Sequence, residues 1–412
     1  MIYPPAPFAA PFASPFAAPF APPPIAMVGP QQTTSPSPTP EPNEKRYINF
    51  NAGNDGCMAY RRGFVSNHIR LSGYGDVVDL TKMVTEKNFY QNIRCISLQR
   101  QAAPHQKKFM EFLKSIQPEF GFKMIYEVDD VVFREEIPDH NASKFGFDND
   151  EVRQNCIDMI NMCDEVTVTC QYMKDLYAEK TGHKQITVVP NFMPHWWIGH
   201  QYNYKRICDN LEKYEQKPRV VYAGSGAHFD VKNNSGGQDD FSHVIKFIVD
   251  NRHKYQFVFI GAYPPPLHQY VISKEIEFHG WKTLIDYPNF LASLNAQVFI
   301  APLMDIPFNR SKSDIKFIEA AQLGIPCLCQ DMVTYSSAPD FLKFKTAEEL
   351  ADKIEMITSW KNRSKYYQLV PDLRKLGETR FLERPENIGC FLEAFDLPYG
   401  SDQRRYLKKW NS

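Results

Sequence analysis

The chain of 412 residues has no run of about 18 apolar residues of the kind that crosses a membrane. It also lacks an excess of either charge. With 47 basic and 48 acidic residues the net is −1, so any hold on nucleic acid or anionic lipid has to come from a local patch. The N-terminus shows neither the basic nor the apolar region of a secretion signal, and the nine cysteines form an odd, scattered set. Both point to a reducing, cytoplasmic compartment. Cys327 and Cys329 lie two apart with no second Cys or His pair at zinc spacing, so buried thiols are expected there.

Proline is plentiful but concentrated. The opening "MIYPPAPFAAPFASPFAAPFAPPP" repeats Pro-Phe through Pro7, Pro11, Pro15 and Pro19 and runs on into "TTSPSPTPEP". Proline at this density removes backbone donors and favours extended conformations, so residues 1–44 read as a disordered tail whose phenylalanines are free to dock on a partner or on the body. From Arg46 onward short apolar runs alternate with longer amphipathic stretches. Strands are expected at "RYINFN", "CISLQ", "KMIYEV", "EVTVT" and "ITVVP", then, past "PNFMPHWWIGH", at "RVVYAGS", "QFVFIGA", "EIEFHG", "QVFIAP" and "PCLCQ". Strands separated by helices of this length imply two open parallel α/β sheets. The expected division is an N-terminal domain over 45–195, a linker over 196–215, a C-terminal domain over 216–375 and closing helices over 376–412, where "GSDQRRYLKKW" reads as basic and amphipathic. Ligands of such sheets bind beyond the carboxyl ends of the strands.

One segment stands out there: "SKSDIKFIEAAQLGIP". A helix starting at Ser311 or Ser313 puts Lys312, Lys316 and Glu319 on one stripe, at i, i+4 and i+7. Two cations beside helix N–H groups suit a diphosphate, and a carboxylate two turns down suits a pair of sugar hydroxyls. Taken alone, the stripe reads equally well as a solvated helix face. Its company shifts the balance: "AGSGAH", "FIGA", "FHGW" and "APLMDIPFNRSKS" all follow strands of the same sheet and reach the same edge. Gly224 and Ser225 form a turn where a phosphate can approach backbone closely.

In this order the motifs resemble the C-terminal domain of GT-B glycosyltransferases of the family 4 type, in particular its phage and bacterial branch. "GCMAYRRGF", "YEVDDVVF" and "ITVVPN" resemble that branch's N-terminal domain, and the likeness covers roughly residues 47–395. The resemblance implies two facing Rossmann-like domains with a cleft between them. It also implies transfer of a sugar from a nucleoside diphosphate, UDP- or GDP-linked, to a hydroxyl with retained configuration. The nucleotide sugar is then a co-substrate, and no resident cofactor is expected. Gly224, Ser225, His228, Gly261, Trp281, Asn309, Lys312, Ser313, Lys316 and Glu319 would bind the donor, with Glu319 on the ribose and Trp281 beside the base. One departure concerns the sugar: where the family has the first of two glutamates eight apart, this chain has Ser311, for which Asp305 or Asn309 is the candidate replacement.

In the first half, Asp129 and Asp130 end a strand. With Lys316 they are the catalytic candidates, as carboxylates that orient an acceptor hydroxyl or meet positive charge on the sugar. Adjacent acids also suit a divalent cation, but GT-B enzymes need none, and no metal is expected. Tyr60 and Arg61 are expected at the acceptor, with Arg62 as a surface charge. The acceptor reads first as a small molecule or glycan and second as hydroxymethylated pyrimidines of phage DNA in a host cytoplasm, for which Arg61, Arg62, Arg70, Lys107 and Lys108 are the candidate basic patch. A reading of another class is a non-catalytic nucleotide-sugar binder or scaffold, docked through its tail.

Overall fold

Strand β1 (Arg46–Phe50) buries every residue after its first, as a strand covered on both faces does. It pairs in parallel with β2 (Asp76–Leu80) on one side and β3 (Ile93–Gln99) on the other. Adding β4 (Lys123–Glu127), β5 (Glu165–Val168) and β6 (Ile186–Val188) gives a six-stranded parallel sheet in the order β2-β1-β3-β4-β5-β6. The second half repeats the plan with β7 (Arg219–Gly224), β8 (Gln256–Gly261), β9 (Glu277–His279), β10 (Val298–Ala301), β11 (Cys327–Gln330) and β12 (Lys343–Phe344), in the order β12-β11-β10-β7-β8-β9. The computed structural model describes residues 46–51, 56–80, 82–141, 149–199, 217–230 and 239–397. The Pro-Phe tail, most of the expected linker and the basic "GSDQRRYLKKW" segment lie outside the described residues.

Ten strands fall on the expected segments; β2 and β12 do not. Both are edge strands, β2 with two acids in a half-exposed "DVVDL" and β12 with two residues only, so neither carries the apolar run that marks a central strand. Strand order reverses between β1 and β3 in the first sheet and between β7 and β10 in the second. Crevices open at such reversals. The segments after β1, β7 and β10 carry Tyr60, His228 and Lys316, considered below.

The end of the described chain ties the halves together. The helix Arg363–Glu378 packs along the helix Ile315–Leu323 in the second half, where Gln322 Nε2 donates to Gly377 O at 2.7 Å. The chain then returns to the first half. Met193 N donates to Arg380 O at 2.9 Å and Leu382 N to Met193 O at 2.8 Å, which delivers the helix Pro385–Ala394 onto the first sheet. There Ile388, Phe391 and Leu392 join Tyr47, Val65 and Ile125 in one apolar cluster, and Phe395 stacks on Tyr47 with centroids 4.7 Å apart. Among the described residues no helix is long and apolar enough to cross a membrane.

The crossing is pinned by charge. Arg380 is buried and forks onto Asp314 at 2.7 and 3.0 Å, and its guanidinium also donates to Asn191 O at 2.8 Å. Removing one partner of such a pair leaves the other buried and uncompensated, at a cost of about 3–5 kcal/mol. Arg380→Met is therefore expected to destabilise the protein by about 3 kcal/mol. Equilibrium urea unfolding checks it, and a loss under about 1 kcal/mol would show that the pair adds little to the fold.

Candidate functional site

The "SKSDIKFIEAAQLGIP" segment is built differently from the single helix expected. Pro307–Arg310 forms its own helical turn, and the Ser311 hydroxyl closes it by donating to Pro307 O at 3.1 Å. The long helix starts only at Ile315, because Asp314 before it is claimed by Arg380 and by the Ser337 hydroxyl. Lys312 thus precedes the helix rather than sharing a stripe on it. Lys316 and Glu319 do lie on it, one turn apart. Gly324 ends the helix at φ +72°, and a Cβ there would lie 2.8 Å from Val370.

The helix is buried from Phe317 to Leu323, so Glu319 works in low dielectric, with Lys316 half-buried beside it. Burial and the nearby Lys312 push the Lys316 ammonium below its ordinary pKa. Its Nζ lies 3.4 Å from His228 Nε2 and 5.6 Å from the centre of the Tyr222 ring. Among the described residues no carboxylate comes within 4.0 Å of it. His228 sits in the short turn after β7, which Ser225 caps by accepting from Ala227 N. Gly224 and Gly261 are register partners on β7 and β8. Gly261 has φ +87°, and a Cβ there would lie 2.7 Å from Gly224 O and 3.2 Å from the Trp281 ring. Glycine is required at this close approach. Trp281, 70% exposed, offers its face at the same edge.

Glu319 faces the other half. Tyr60, in the turn after β1, donates its hydroxyl to Glu319 Oε1 at 2.7 Å, and Tyr287 donates to Oε2 at 3.3 Å. Burial raises the Glu319 carboxyl to about 7, against the lowering effects of Tyr60, Lys316 and Tyr287. Three further contacts cross the cleft nearby. Asn191 Nδ2 donates to Ser313 Oγ at 2.9 Å, Lys312 Nζ lies 3.9 Å from Asp130 Oδ1, and Asn141 Nδ2 reaches Ala227 O at 3.4 Å.

The two strand-end acids have different surroundings. Asp130 accepts from Val131 N at 2.9 Å and faces Lys312. Asp129 is turned toward Arg100, 3.3 Å away; burial opposes its charge, but Arg100, Cys57 and Arg61 hold it below the usual carboxylate range. Arg61 and Arg62 are each 1% exposed, so Arg62 is not the surface charge expected of it. Arg61 donates to Glu127 at 2.6 Å, to Val189 O at 2.6 Å and to Asn191 Oδ1 at 3.1 Å. Arg62 donates to Tyr47 and Ser97 and lies over the Phe395 ring. Of the candidates to replace the first glutamate, Asp305 is tied to Arg310 at 2.7 Å in an exposed pair. Asn309 is buried and gives its amide to Asp240 and Met304 O. Among the described residues no group of three or more His, Cys, Asp or Glu is disposed to hold a metal.

No family model and no curated protein matches the sequence. Solved structures do. A glycosyltransferase from Rickettsia africae aligns at 12% identity and TM-score 0.55 over 85% of this chain and 99% of its own. Sucrose-phosphate synthase from Thermosynechococcus elongatus aligns at 13% identity and TM-score 0.53 over 82% of this chain and 95% of its own. The fold is GT-B. At these identities the likeness is one of fold, and the roles of individual residues rest on the geometry of this chain.

Lys316 and His228 thus lie together, as do Gly224, Gly261 and Trp281, while Lys312, Ser313 and Glu319 face the first half through Asp130, Asn191 and Tyr60. Arg61, Asp129 and the Asn309 amide are turned to other partners. Sequence patterns gave no sign of Asp240, Tyr287, Arg100 or Arg380, since none belongs to a glycine turn or a periodic stripe.

The raised pKa of Glu319 links to stability with a definite sign. The folded state holds its proton more tightly than the unfolded state, so the group's contribution is complete below about pH 4.5 and is lost as pH rises through about 7. Glu319→Gln is expected to raise Tm relative to wild type more at pH 8 than at pH 5.5. Thermal melts at both values test this, and a difference that does not grow with pH would place the carboxylate in a solvated site.

Proposed function

We propose that the protein transfers a sugar from a nucleoside diphosphate to the hydroxyl of a small molecule or glycan. Configuration is retained, no metal takes part, and the chemistry is that of the family 4 type of GT-B enzymes. The observation that carries this reading is Lys316. A cation held half-buried, backed by a neutral histidine and an aromatic ring and lacking a carboxylate partner among the described residues, is poised for an anion from outside. The Gly224–Ser225 turn and Lys312 lie on the same edge and complete a diphosphate cradle.

In this reading the bond between the anomeric carbon and the diphosphate oxygen breaks, and the leaving charge is met by Lys312, Lys316 and backbone N–H groups already in place. The acceptor oxygen forms the new bond and passes its proton to the Asp130 carboxylate, which faces Lys312 from the first half. Trp281 stacks on the base over the Gly224–Gly261 contact. Glu319 receives the ribose hydroxyls in place of the Tyr60 and Tyr287 hydroxyls it now binds. Of the five basic residues that a DNA acceptor would call on, Arg61 and Arg62 are buried, Arg70 and Lys107 pair with Asp79 and Asp158, and Lys108 is exposed, so a small molecule or glycan is the reading we favour.

A panel of nucleotide sugars incubated with small-molecule, glycan and hydroxymethylated-DNA acceptors, with products read by mass spectrometry, tests the activity; no transfer from any donor would favour a binding or scaffold role. Lys316→Ala is expected to weaken donor binding by roughly 1.5–3 kcal/mol while the fold survives. Unchanged calorimetric affinity in the folded variant would take Lys316 out of the site. Transfer is also expected to persist in excess EDTA. Complete loss that Mn²⁺ or Mg²⁺ restores would show that Asp129 and Asp130 serve a metal.

A further inference from the structure

Asp240 lies in none of the glycine turns or lysine motifs, yet three parts of the second half converge on it. Its Oδ2 is 2.6 Å from His228 Nδ1, in the turn after β7. Its Oδ1 accepts from Met304 N at 2.9 Å, in the loop after β10, and from Asn309 Nδ2 at 2.6 Å, in the turn that precedes Lys312. The carboxylate is 4% exposed, and these bonds hold it ionised despite its burial. The opposite ring nitrogen of His228 lies 3.4 Å from Lys316 Nζ.

We propose that Asp240 is a positioning residue for the anion site: it fixes His228 as the Nδ1–H tautomer, so that Nε2 accepts from the Lys316 ammonium and aims it at the donor's diphosphate. The argument follows from donor and acceptor counts. An ammonium only donates, so a histidine nitrogen facing it at hydrogen-bond distance must offer a lone pair. An ionised carboxylate only accepts, so the nitrogen facing Asp240 must carry the proton. The two neighbours therefore demand the same tautomer. Burial and the Lys316 charge keep the ring neutral, lowering its pKa to about 4. The same carboxylate holds the β10 loop and the Asn309 turn, so one side chain sets the spacing between His228 and the segment that carries both lysines. The proposal rests on the reading of Lys316 as a diphosphate ligand, and the test separates the two.

An Asn at this position turns an acceptor into a group that can donate its NH₂ to Nδ1, which places the ring proton on Nε2, pointing at the ammonium. Asp240→Asn is therefore expected to weaken binding of inorganic pyrophosphate about tenfold, the scale of one charge-assisted hydrogen bond. In the His228→Gln background the same change is expected to cost nothing further, because the amide oxygen of Asn can still accept from Met304 N and Asn309 and the route through the ring is already cut. The tautomer itself is read from ¹⁵N-histidine spectra of the wild-type protein between pH 6 and 8, with His228 identified as the resonance missing from His228→Gln. Protonated Nδ1 supports the relay; protonated Nε2 overturns it even if Asp240→Asn fails to fold. Fully additive losses in the double variant also overturn it. Pyrophosphate affinity unchanged in Lys316→Ala would instead remove the diphosphate reading of the site, and the spectra would still decide whether Asp240 sets the ring.

Discussion

The bidentate pair between Arg380 and Asp314 fixes more of this molecule than any other contact. Asp314 is the last residue before the helix that carries Lys316 and Glu319, and Arg380 lies where the chain leaves the second half for the first. The guanidinium also binds Asn191 O, and the Asn191 side chain reaches Arg61 and Ser313. The start of the lysine helix, the link between halves and the buried arginine of the first sheet thus form one hydrogen-bonded unit. Buried ion pairs are seldom a net source of stability, but they are sharp in geometry. Here that geometry sets where the helix begins, and so how far Lys316 stands from the turn after β7.

Charge is handled differently on the two sides of the cleft. In the first half, cations are consumed inside the protein: Arg61 on Glu127, Arg62 against Tyr47 and Phe395, Arg100 on Asp129. In the second half, the half-buried Lys316 and the buried Glu319 lie one turn apart yet stay unpaired with each other, and each is shifted toward its neutral form. Desolvated groups without a strong partner raise the free energy of the empty site. Such groups cluster where a ligand is bound, because the ligand supplies what the fold withholds.

Most of the sheet plan was legible because buried parallel strands are near-continuous apolar runs, and ten of them stood between helix patterns. The edge strands β2 and β12 were not, since a half-exposed or two-residue strand has no such run. At the site, the glycines and lysines were legible because their chemistry is local: Gly261 sits at φ +87° against Gly224 and Trp281, and that requirement is written in one residue. The helix start was misjudged by two to four residues. Ser311 and Ser313 carry good capping chemistry, but an arginine 66 positions away claims Asp314, and no local pattern announces that. Asp240 and Arg100 were hidden for the same reason, being polar residues whose partners are brought to them only by the fold.

The contacts that cross the cleft are of a kind that a ligand can exchange. Tyr60 on Glu319, Asn191 on Ser313 and Lys312 facing Asp130 are single polar contacts between side chains, each with an alternative partner in a sugar hydroxyl or a phosphate oxygen. A ligand shifts a conformational equilibrium only by the difference in its binding to the two states. Substituting one hydroxyl for another on Glu319 is nearly neutral, so the ribose alone offers little such difference. A diphosphate would offer more in that reading, because Lys316 has no carboxylate within 4.0 Å among the described residues. In the proposed reading, the driving force for closing on a donor resides in the phosphates, and a ribose contact on Glu319 sets the register in which the sugar meets the first half.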